Sequence, residues 1–351
     1  MIEAPRIVSI ETEVLADPAN PLLLVRVRSD DGLVGIGETW WGTYQPAAPP
    51  GTPVRAIAVI VDDLLTPACV GQDATDITGL WQTMHRLTYQ YGPEGMTSTA
   101  IAGIDLALWD LAGRRTGRPT ADLLGPRKHD AVPAYASLHW LGDAEQAVVD
   151  AARAVEAGFR GVKLHETRAD IVAAVRATVG PEIALMLDVS ARLNEAEAVE
   201  LAQSCTGDRL RWIEEPVFPQ QDHDTLARIR STVATPLAAG ENEFSADGFR
   251  RLLAAGAVDV IQPDPAKCGG LTPMPAIDRL ALDFGAELAL HNFSLGPSLG
   301  ANIHAAMTLD RARWIEVPFL PEGQAFPGPW VLPALDTAGR IPYPTGPGLA
   351  W

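Results

Sequence analysis

Short apolar runs alternate with longer polar-and-apolar stretches through most of the chain. The runs are rich in Val, Ile and Leu and nearly continuous, as in strands buried on both faces. Examples are 183–187, 210–213 and 258–261. The stretches between them have helical composition and are long enough to return the chain to the start of the next strand, as at 195–204, 222–229, 246–255 and 274–284. This alternation predicts repeated strand-helix units and a parallel sheet.

A polar residue ends each of seven successive units at intervals of 25, 26, 27, 23, 27 and 25 residues. These residues are Lys163, Asp188, Glu214, Glu241, Asp264, His291 and Glu316. In a closed parallel barrel all strands point their C-terminal ends at one face, so the seven side chains are expected around one cavity. Helix caps alone would not require this regular spacing, nor a Lys and a His at the same register.

The chain divides into two regions near residue 125. Before it, 7–15, 22–29 and 35–38 predict a small antiparallel meander, with a tight turn at Asp30-Asp31-Gly32. The segment 97–114 predicts an amphipathic helix capped by Thr97 or Ser98. After residue 320 the chain is rich in Pro and Gly, and we expect this tail to pack back on the first domain.

Composition fits an enzyme with one barrel and a second, smaller domain, since 351 residues are 47% hydrophobic and 20% charged. A net charge of −17 argues against nucleic acid or an anionic membrane as partner, but not against a small anionic substrate. No apolar run is long enough to span a membrane. The N-terminus lacks a signal-like core and the three cysteines are scattered, so we expect a cytoplasmic protein.

Three carboxylates on adjacent strands, Asp188, Glu214 and Glu241, predict a metal site. Their oxygens are hard ligands, and no Cys or His lies among them, which favours Mg²⁺. A substrate carboxylate held there would have its α-proton acidified, leading to an enediolate.

Proton transfer requires groups on either side of the substrate. Lys163 and His165 lie two apart on one strand and therefore point the same way. His291 comes from the far side of the cavity, and Asp264 on the preceding strand can hydrogen-bond its imidazole and fix the tautomer.

The chain resembles the mandelate racemase subgroup of the enolase superfamily over nearly its whole length. The resemblance is carried by the ordered stretches Gly161-Val162-Lys163-Leu164-His165, Leu187-Asp188-Val189-Ser190, Trp212-Ile213-Glu214-Glu215-Pro216, Gly240-Glu241-Asn242, 263–270, Leu290-His291-Asn292 and Trp314-Ile315-Glu316. Residues 100–113 and 339–348 add to it.

The resemblance implies an α/β fold, a modified TIM barrel of the (β/α)7β type with an α+β capping domain. It divides the chain into a capping domain at 1–125, a catalytic barrel at 126–320 and a C-terminal tail at 321–351 that packs on the cap. It also implies a homo-oligomer, either a dimer or an octamer.

The family pattern assigns roles to residues at matching positions. Mg²⁺ would be held by Asp188, Glu214 and Glu241, with the first glutamate of the Glu214-Glu215 pair as ligand. Asp264 paired with His291 is typical of racemase-like members. Glu316 would hydrogen-bond the substrate carboxylate in its protonated form.

Further residues are candidates for substrate contacts. In resembling proteins the region 38–44 forms a mobile loop over the substrate, which makes Trp41 and Tyr44 candidates, together with Trp40. Asn292, next to His291, is another. His139, at the end of the first barrel strand, is expected to contact a substrate hydroxyl or to be a surface loop residue.

Two positions depart from the family pattern. His165 stands where a second Lys usually acts as base, so Lys163 and His165 remain joint candidates for the base on that face. Ser190 stands where Asn is common, and it can still donate a hydrogen bond to substrate.

Three interpretations follow for function. The favoured one is α-proton abstraction followed by β-elimination, which dehydrates a sugar acid to a 2-keto-3-deoxy acid or opens a lactone or anhydro ring. The second is a racemase or epimerase of a 2-hydroxy acid. The third, of a different class, is a metal-binding barrel without turnover.

Overall fold

The computed structural model describes residues 4–15, 21–39, 51–139 and 142–350. The first part is a three-stranded antiparallel sheet in the order β1-β2-β3, followed by helices. The strands are β1 (Ile7–Leu15), β2 (Leu22–Ser29) and β3 (Val34–Thr39). The helices are α1 (Thr52–Val59), α2 (Thr66–Cys69), α3 (Ile77–Thr88), α4 (Met96–Thr116) and α5 (Ala121–Leu124), with a π-helical segment at Ile60–Leu65 between α1 and α2.

The second part is a closed barrel of eight parallel strands, in which the last strand pairs with the first. The strands are β4 (Ala131–Leu138), β5 (Gly161–His165), β6 (Ala184–Asp188), β7 (Ile213–Glu214), β8 (Leu237–Ala239), β9 (Val260–Ile261), β10 (Glu287–Leu290) and β11 (Ala312–Phe319). The seven helices between them are α6 (Ala144–Glu156), α7 (Ala169–Val179), α8 (Glu195–Ser204), α9 (His223–Thr232), α10 (Ala246–Ala254), α11 (Met274–Phe284) and α12 (Pro297–Ala306). The expected modified (β/α)7β barrel with an α+β cap is confirmed.

Two apolar layers hold the barrel together. The outer layer fills the space between strands and helices. The inner one is a small cluster inside the barrel, formed by Tyr135, Met186, Trp212, Ala238, Val260 and Ala289. This cluster closes the barrel below the strand ends, so that polar side chains above it face one cavity.

Helix α4 differs from its sequence-based description. Its N-cap is Gly95 with no side-chain cap, whereas Thr97 Oγ1 bonds back to the carbonyl of Gly92 and Ser98 Oγ donates to the carbonyl of Phe244. The helix is also buried on nearly all sides rather than amphipathic. It lies between the cap sheet and the barrel, so both faces are covered.

Glycines in β3 make the close contact between sheet and helix possible. A Cβ at Gly35 would lie 2.0 Å from the carbonyl oxygen of Ala107, and one at Gly37 would lie 2.1 Å from that of Gly103. A side chain at either position would push α4 away from the sheet. The small residues on both elements therefore allow the cap sheet to pack directly against helix α4.

The tail contacts both parts of the molecule. Its strand β12 (Arg340–Pro342) pairs antiparallel with β4 of the barrel. Farther along, the amide of Leu349 donates to Asp110 Oδ1 of α4 over 2.8 Å. The three cysteines are buried free thiols. Every helix within the described ranges is too short or too polar to cross a membrane.

Candidate active site

The three carboxylates Asp188, Glu214 and Glu241 converge at the C-terminal ends of β6, β7 and β8. One oxygen from each lies within 4.8 Å of the others. Asp188 and Glu214 are buried, and the Glu241 side chain is 20% exposed on the cavity side. All donors are oxygens on rigid strand ends, which is the ligand set of a hard divalent cation.

Other side chains fix these ligands. Glu214 Oε2 accepts hydrogen bonds from Trp212 Nε1 at 2.9 Å and from Gln262 Nε2 at 2.6 Å. Asp188 Oδ1 accepts from the amide of Ser190 at 2.7 Å and from its hydroxyl at 3.1 Å. The sequence pattern did not indicate the roles of Trp212 and Gln262. Each lies two residues before a functional residue along the chain, and this period of two could have identified them.

Lys163 is completely buried among acids. Its Nζ lies 2.6 Å from Glu214, 2.7 Å from Glu316 and 3.3 Å from Asp188. Burial disfavours the ammonium, but these carboxylates outweigh it and raise the pKa of Lys163 well above its usual value. Lys163 does not line the cavity, so its position is that of a buried counter-charge.

His165, two residues farther along β5, does line the cavity. Its Nε2 lies 3.0 Å from Asp188 Oδ2, and its Nδ1 bonds to the carbonyl of Leu138. Burial lowers its pKa, but the charge of Asp188 outweighs burial and raises it. The two joint candidates for the base therefore lie at different depths, His165 at the cavity and Lys163 buried behind it.

His291 occupies the opposite side. Its Nδ1 lies 2.8 Å from Asp264 Oδ2 and its Nε2 lies 3.0 Å from Glu241 Oε2. Asp264 is itself held, because its Oδ1 accepts the amide of Ala266 at 2.8 Å. Burial opposes the imidazolium, but Glu241 and Asp264 raise the pKa of His291 well above its usual value.

The two imidazoles therefore flank the acidic triad symmetrically. Each places its Nε2 3.0 Å from a different carboxylate of the triad, His165 on Asp188 and His291 on Glu241. Both pKa shifts depend on carboxylates whose charge a bound cation would compensate.

Glu316 completes the inner wall. It accepts a hydrogen bond from Tyr135 Oη at 3.0 Å and pairs with Lys163. Burial alone would raise its pKa, but the charge of Lys163 outweighs burial and lowers it. This direction favours the carboxylate form of Glu316, and the protonated form implied by the resemblance stays a prediction.

The remaining predicted contacts divide into two groups. Ser190, His139 and Asn292 line the cavity. The Asn292 amide is used within its own loop, donating to the carbonyl of Ser294 at 2.6 Å and accepting from Ser298 Oγ at 2.8 Å. Trp41 and Tyr44, like Trp40, lie outside the described residues.

Two buried ionisable groups were not predicted. Lys267 Nζ donates to Asn242 Oδ1 at 2.9 Å and lies 3.6 Å from Glu241 Oε1, so it orients and compensates that ligand. Glu215 accepts the amide of Gly240 at 3.1 Å, and burial, with the charge of Glu241, raises its pKa well above the usual value. No periodic signal distinguishes either residue in the sequence.

The cavity has a volume of about 320 Å³. Its inner wall carries Asp188, Glu241, His165, His291 and Glu316. Arg192, Gln220, Phe293 and Phe326 also line the cavity. A space of this size is at the small end of ligand pockets, which run from about 300 to 1,000 Å³.

Two family models together cover most of the chain. The model described as "Mandelate racemase / muconate lactonizing enzyme, N-terminal domain" matches residues 3–125, and "Enolase C-terminal domain-like" matches residues 146–351.

Individual relatives agree with this assignment. D-galactarolactone cycloisomerase of Agrobacterium fabrum is 33% identical over 93% of this chain and 87% of its own length. D-galactonate dehydratase of Ralstonia pickettii is 33% identical over 80% of this chain and 74% of its own. A racemase from Streptomyces coelicolor with bound magnesium has a TM-score of 0.83 and 27% identity, covering 98% of this chain and 96% of its own.

The interpretation of the chain as a metal-binding barrel without turnover is thus disfavoured, since the named relatives are lyases and isomerases. From its ordered motifs, its capped barrel and these matches, the chain belongs to the mandelate racemase and muconate lactonizing enzyme group of the enolase superfamily and is a lyase or isomerase.

Proposed function

We propose that this protein takes a small anionic substrate, a sugar acid or its lactone, and removes the proton α to the carboxylate to give an enediolate. It then expels the substituent on the β-carbon. Asp188, Glu214 and Glu241 would hold Mg²⁺ for this reaction. When bound, Mg²⁺ supplies the positive charge that makes the α-proton acidic.

One observation carries the proposal, namely the pair of cavity-facing imidazoles on opposite sides of the acidic triad. Proton abstraction needs a base on one side, and expulsion of an oxygen needs an acid within reach of it. His165 faces the cavity whereas Lys163 is buried behind it, so His165 is assigned as the base. His291, held by Asp264, is assigned as the acid.

In dehydration, His165 takes the α-proton and the electrons of the broken C–H bond form a C=C bond. The C–O bond at the β-carbon breaks, and the hydroxyl leaves as water with a proton from His291. The resulting enol takes a proton at its β-carbon, loses the proton of its hydroxyl group and becomes a 2-keto-3-deoxy acid. Lys163 stabilises Glu316 and the ligand carboxylates throughout as a fixed positive charge.

Ring opening uses the same groups with a different leaving oxygen. When the β-oxygen belongs to a lactone, it departs as a carboxylate and the product is an isomer of the substrate. The two named relatives, a cycloisomerase and a dehydratase, support elimination as the common step.

The opposed imidazoles also favour a second candidate, a racemase or epimerase. In that reaction His165 and His291 exchange the same α-proton on opposite faces of the substrate. The outcome then depends on whether a leaving group on the β-carbon lies near His291.

Proton NMR in D₂O with Mg²⁺ tests the proposal on a library of aldonic and aldaric acids and their lactones. A 3-deoxy product from the wild type that disappears in His291→Asn is expected. The matched control is His129→Asn, because His129 contacts the Leu309 carbonyl outside the cavity and should be dispensable. Exchange of the α-proton with inversion and no 3-deoxy product would establish the racemase, and silence across the library would refute both.

A further inference from the structure

The loop between β9 and α11, residues 262–273, carries two groups that act on the site. Asp264 at its start lies 2.8 Å from His291 Nδ1, and Lys267 in its middle donates to Asn242 Oδ1 at 2.9 Å. Loops are generally more mobile than the strands that they connect. A displacement of about 1 Å in a catalytic group can lower a rate by about 100-fold, so this loop must be fixed by other contacts.

One buried aspartate of the cap domain provides such a contact. Asp105 lies on α4 and is completely buried. Its Oδ2 accepts the amide of Leu271 at 2.7 Å and the amide of Thr272 at 3.1 Å, and its Oδ1 accepts the Thr272 hydroxyl at 2.5 Å. A buried carboxylate needs hydrogen bonds in place of its lost hydration. The loop supplies all three of these bonds, so the cap and the loop stabilise each other.

Two tryptophans of the cap bind the same part of the loop. Trp81 Nε1 on α3 donates to the carbonyl of Gly269 at 2.8 Å, and Trp109 Nε1 on α4 donates to Thr272 Oγ1 at 3.0 Å. The Thr272 hydroxyl therefore accepts from Trp109 and donates to Asp105. Both cap helices thus fix the end of the loop that lies away from the cavity.

Glycine allows the loop backbone to approach Asp105 this closely. Gly270 has a φ of 102°, and a Cβ at this position would lie 2.1 Å from Asp105 Oδ2. A larger residue would be strained there and would push the carboxylate away from the loop amides. The backbone of the loop is therefore shaped to receive the carboxylate.

Hydrogen bonds within the loop connect this fixed end to the catalytic end. The amides of Lys267 and Cys268 both donate to the carbonyl of Asp264 at 2.9 Å, and Asp264 Oδ1 accepts the amide of Ala266 at 2.8 Å. Residues 261–271 are buried throughout. Contiguous hydrogen bonds and packed side chains of this kind carry energetic coupling between separate groups.

We propose that Asp105 is a positioning residue, through which the cap domain holds Asp264, and with it the acid His291, in the geometry that expels the β-oxygen. This rests on the proposed function, in which His291 protonates the leaving group. Asp105 does not line the cavity that the described residues form, so it acts through the loop. The cap then takes part in proton transfer as well as in covering the barrel.

The test measures elimination and α-proton exchange separately, by proton NMR in D₂O, on the aldonic or aldaric acid that the Mg²⁺-loaded wild type turns over. Asp105→Ala should lower kcat for elimination by about 100-fold, while exchange stays within about tenfold and KM within about threefold of the wild type. Asp105→Asn should recover most of the lost rate. Its amide oxygen can still accept the two loop amides, and the Thr272 hydroxyl oxygen can accept its NH₂ group.

A double variant separates positioning from general damage to the fold. In the Asp264→Asn background, Asp105→Ala should lower elimination by less than about threefold more, because its effect passes through Asp264. The control is Asp110→Ala, which removes another buried aspartate of α4, one that accepts the amides of Ile36 and Leu349 instead. The control should leave the ratio of elimination to exchange unchanged. Losses that multiply in the double variant, or an equal fall of the ratio in the control, would overturn the assignment.

Hydrogen exchange at residue resolution tests the same coupling without a substrate. In Asp105→Ala the amides of Leu271 and Thr272 should lose protection, and those of residues 266–268 should exchange at least about tenfold faster than in the wild type. Faster exchange confined to residues 271 and 272 would overturn the proposal. If no acid is turned over, the proposed function fails, and the amides of residues 266–268 still decide the role of Asp105.

Thr272→Val replaces Asp105→Ala in these comparisons if the latter does not fold. This variant removes the hydroxyl between Asp105 and Trp109 and leaves both loop amides in place. The same selective loss of elimination is expected, of about tenfold, because one hydrogen bond to a charged group is lost. A ratio of elimination to exchange equal to that of the wild type would refute the positioning role.

Discussion

The substitution Asp264→Asn separates the two proton transfers assigned to the site. Asp264 uses one oxygen to accept the amide of Ala266 at 2.8 Å and the other to hold His291 Nδ1 at 2.8 Å. An asparagine must keep its oxygen toward the Ala266 amide, because an NH₂ group there would face another donor. Its NH₂ group therefore points at His291 Nδ1 and makes that nitrogen an acceptor.

The substitution would therefore reverse the tautomer of neutral His291 and remove the negative charge beside its imidazolium. Neutral His291 would carry its proton on Nε2, and the imidazolium would lose a charge-assisted hydrogen bond worth about 1.5–3 kcal/mol. Neutral imidazole is a far weaker acid than imidazolium, so expulsion of the β-oxygen loses most of its acid catalysis. We expect kcat for elimination to fall by about 10²–10⁴-fold.

Abstraction by His165 on the other side should survive. In D₂O the variant should still exchange the α-proton at a rate within about tenfold of the wild type while the 3-deoxy product no longer accumulates. The control is Asp259→Asn, because Asp259 directly precedes β9, at the end of the strand away from Asp264, and pairs with Arg230 over 2.7 Å. Wild-type elimination by Asp264→Asn, or equal loss of exchange and elimination, would refute the division of labour between the two histidines.

Three further perturbations test other parts of the structure. Burial raises the pKa of Glu38 from 4.5 to about 7, so the folded protein retains a proton that the unfolded chain has lost. Stability should therefore fall by about 3 kcal/mol as pH rises from 4.5 to 7 and then level off, and unfolding of Glu38→Gln should show a smaller fall over that range. Gly37→Ala should destabilise the cap by about 3 kcal/mol or more in urea unfolding, because its Cβ would lie 2.1 Å from a backbone oxygen of α4, whereas Gly207→Ala has open space and should be neutral. Mg²⁺ at 100 times its Kd should stabilise the wild type and the control Glu200→Gln by about 2.7 kcal/mol each, but Glu214→Gln much less. An equal thermal shift in all three proteins would place the cation elsewhere.

Hydrophobic pattern predicted the barrel well because its units are periodic. Helices α8 and α11 have the predicted bounds, 195–204 and 274–284. The strands were less accurate, since β7 covers Ile213–Glu214 and β9 covers Val260–Ile261, whereas the apolar runs begin at Leu210 and Val258. Those two residues are buried all the same. An apolar run indicates that its residues are buried. The ends of a strand depend instead on hydrogen bonds to neighbouring strands, which the run itself does not show.

The large apolar side chains of helix α4 alone do not show that the helix is buried on both faces. They mark the face that packs in the cap, where Ala107 joins them. The other face carries Ser98, Asp105 and Trp109, which hydrogen-bond to Phe244, Leu271 and Thr272 of the barrel loops. Polar side chains suggest a solvated face, although Ser98 and Asp105 are fully buried. The pattern therefore indicated an exposed face where the structure has an interface.

The spacing of residues along the strands predicted which way the side chains of the site point, but not how deep they lie in the barrel. Residues two apart on a strand point the same way, which brought Lys163 and His165 together, but depth along the barrel axis determines which of them meets the cavity. That depth depends on Tyr135, Glu214 and Glu316 from other strands, whose joint packing no local pattern contains.

This difference in depth explains how His165 can stand at a position where the family usually has a second lysine. Lys163 already supplies a buried positive charge beside three carboxylates, so the residue above it need not supply a permanent one. The imidazole of His165 can accept a proton once a bound cation compensates the charge of Asp188 that raises its pKa, and its partner on the far side can donate one. With two such groups, the same site can eliminate or racemise, and what decides between them is which substrate atom lies beside His291. That choice depends on how the far end of the substrate is held in the cavity, because the position of the far end determines whether the β-oxygen or the α-carbon faces His291.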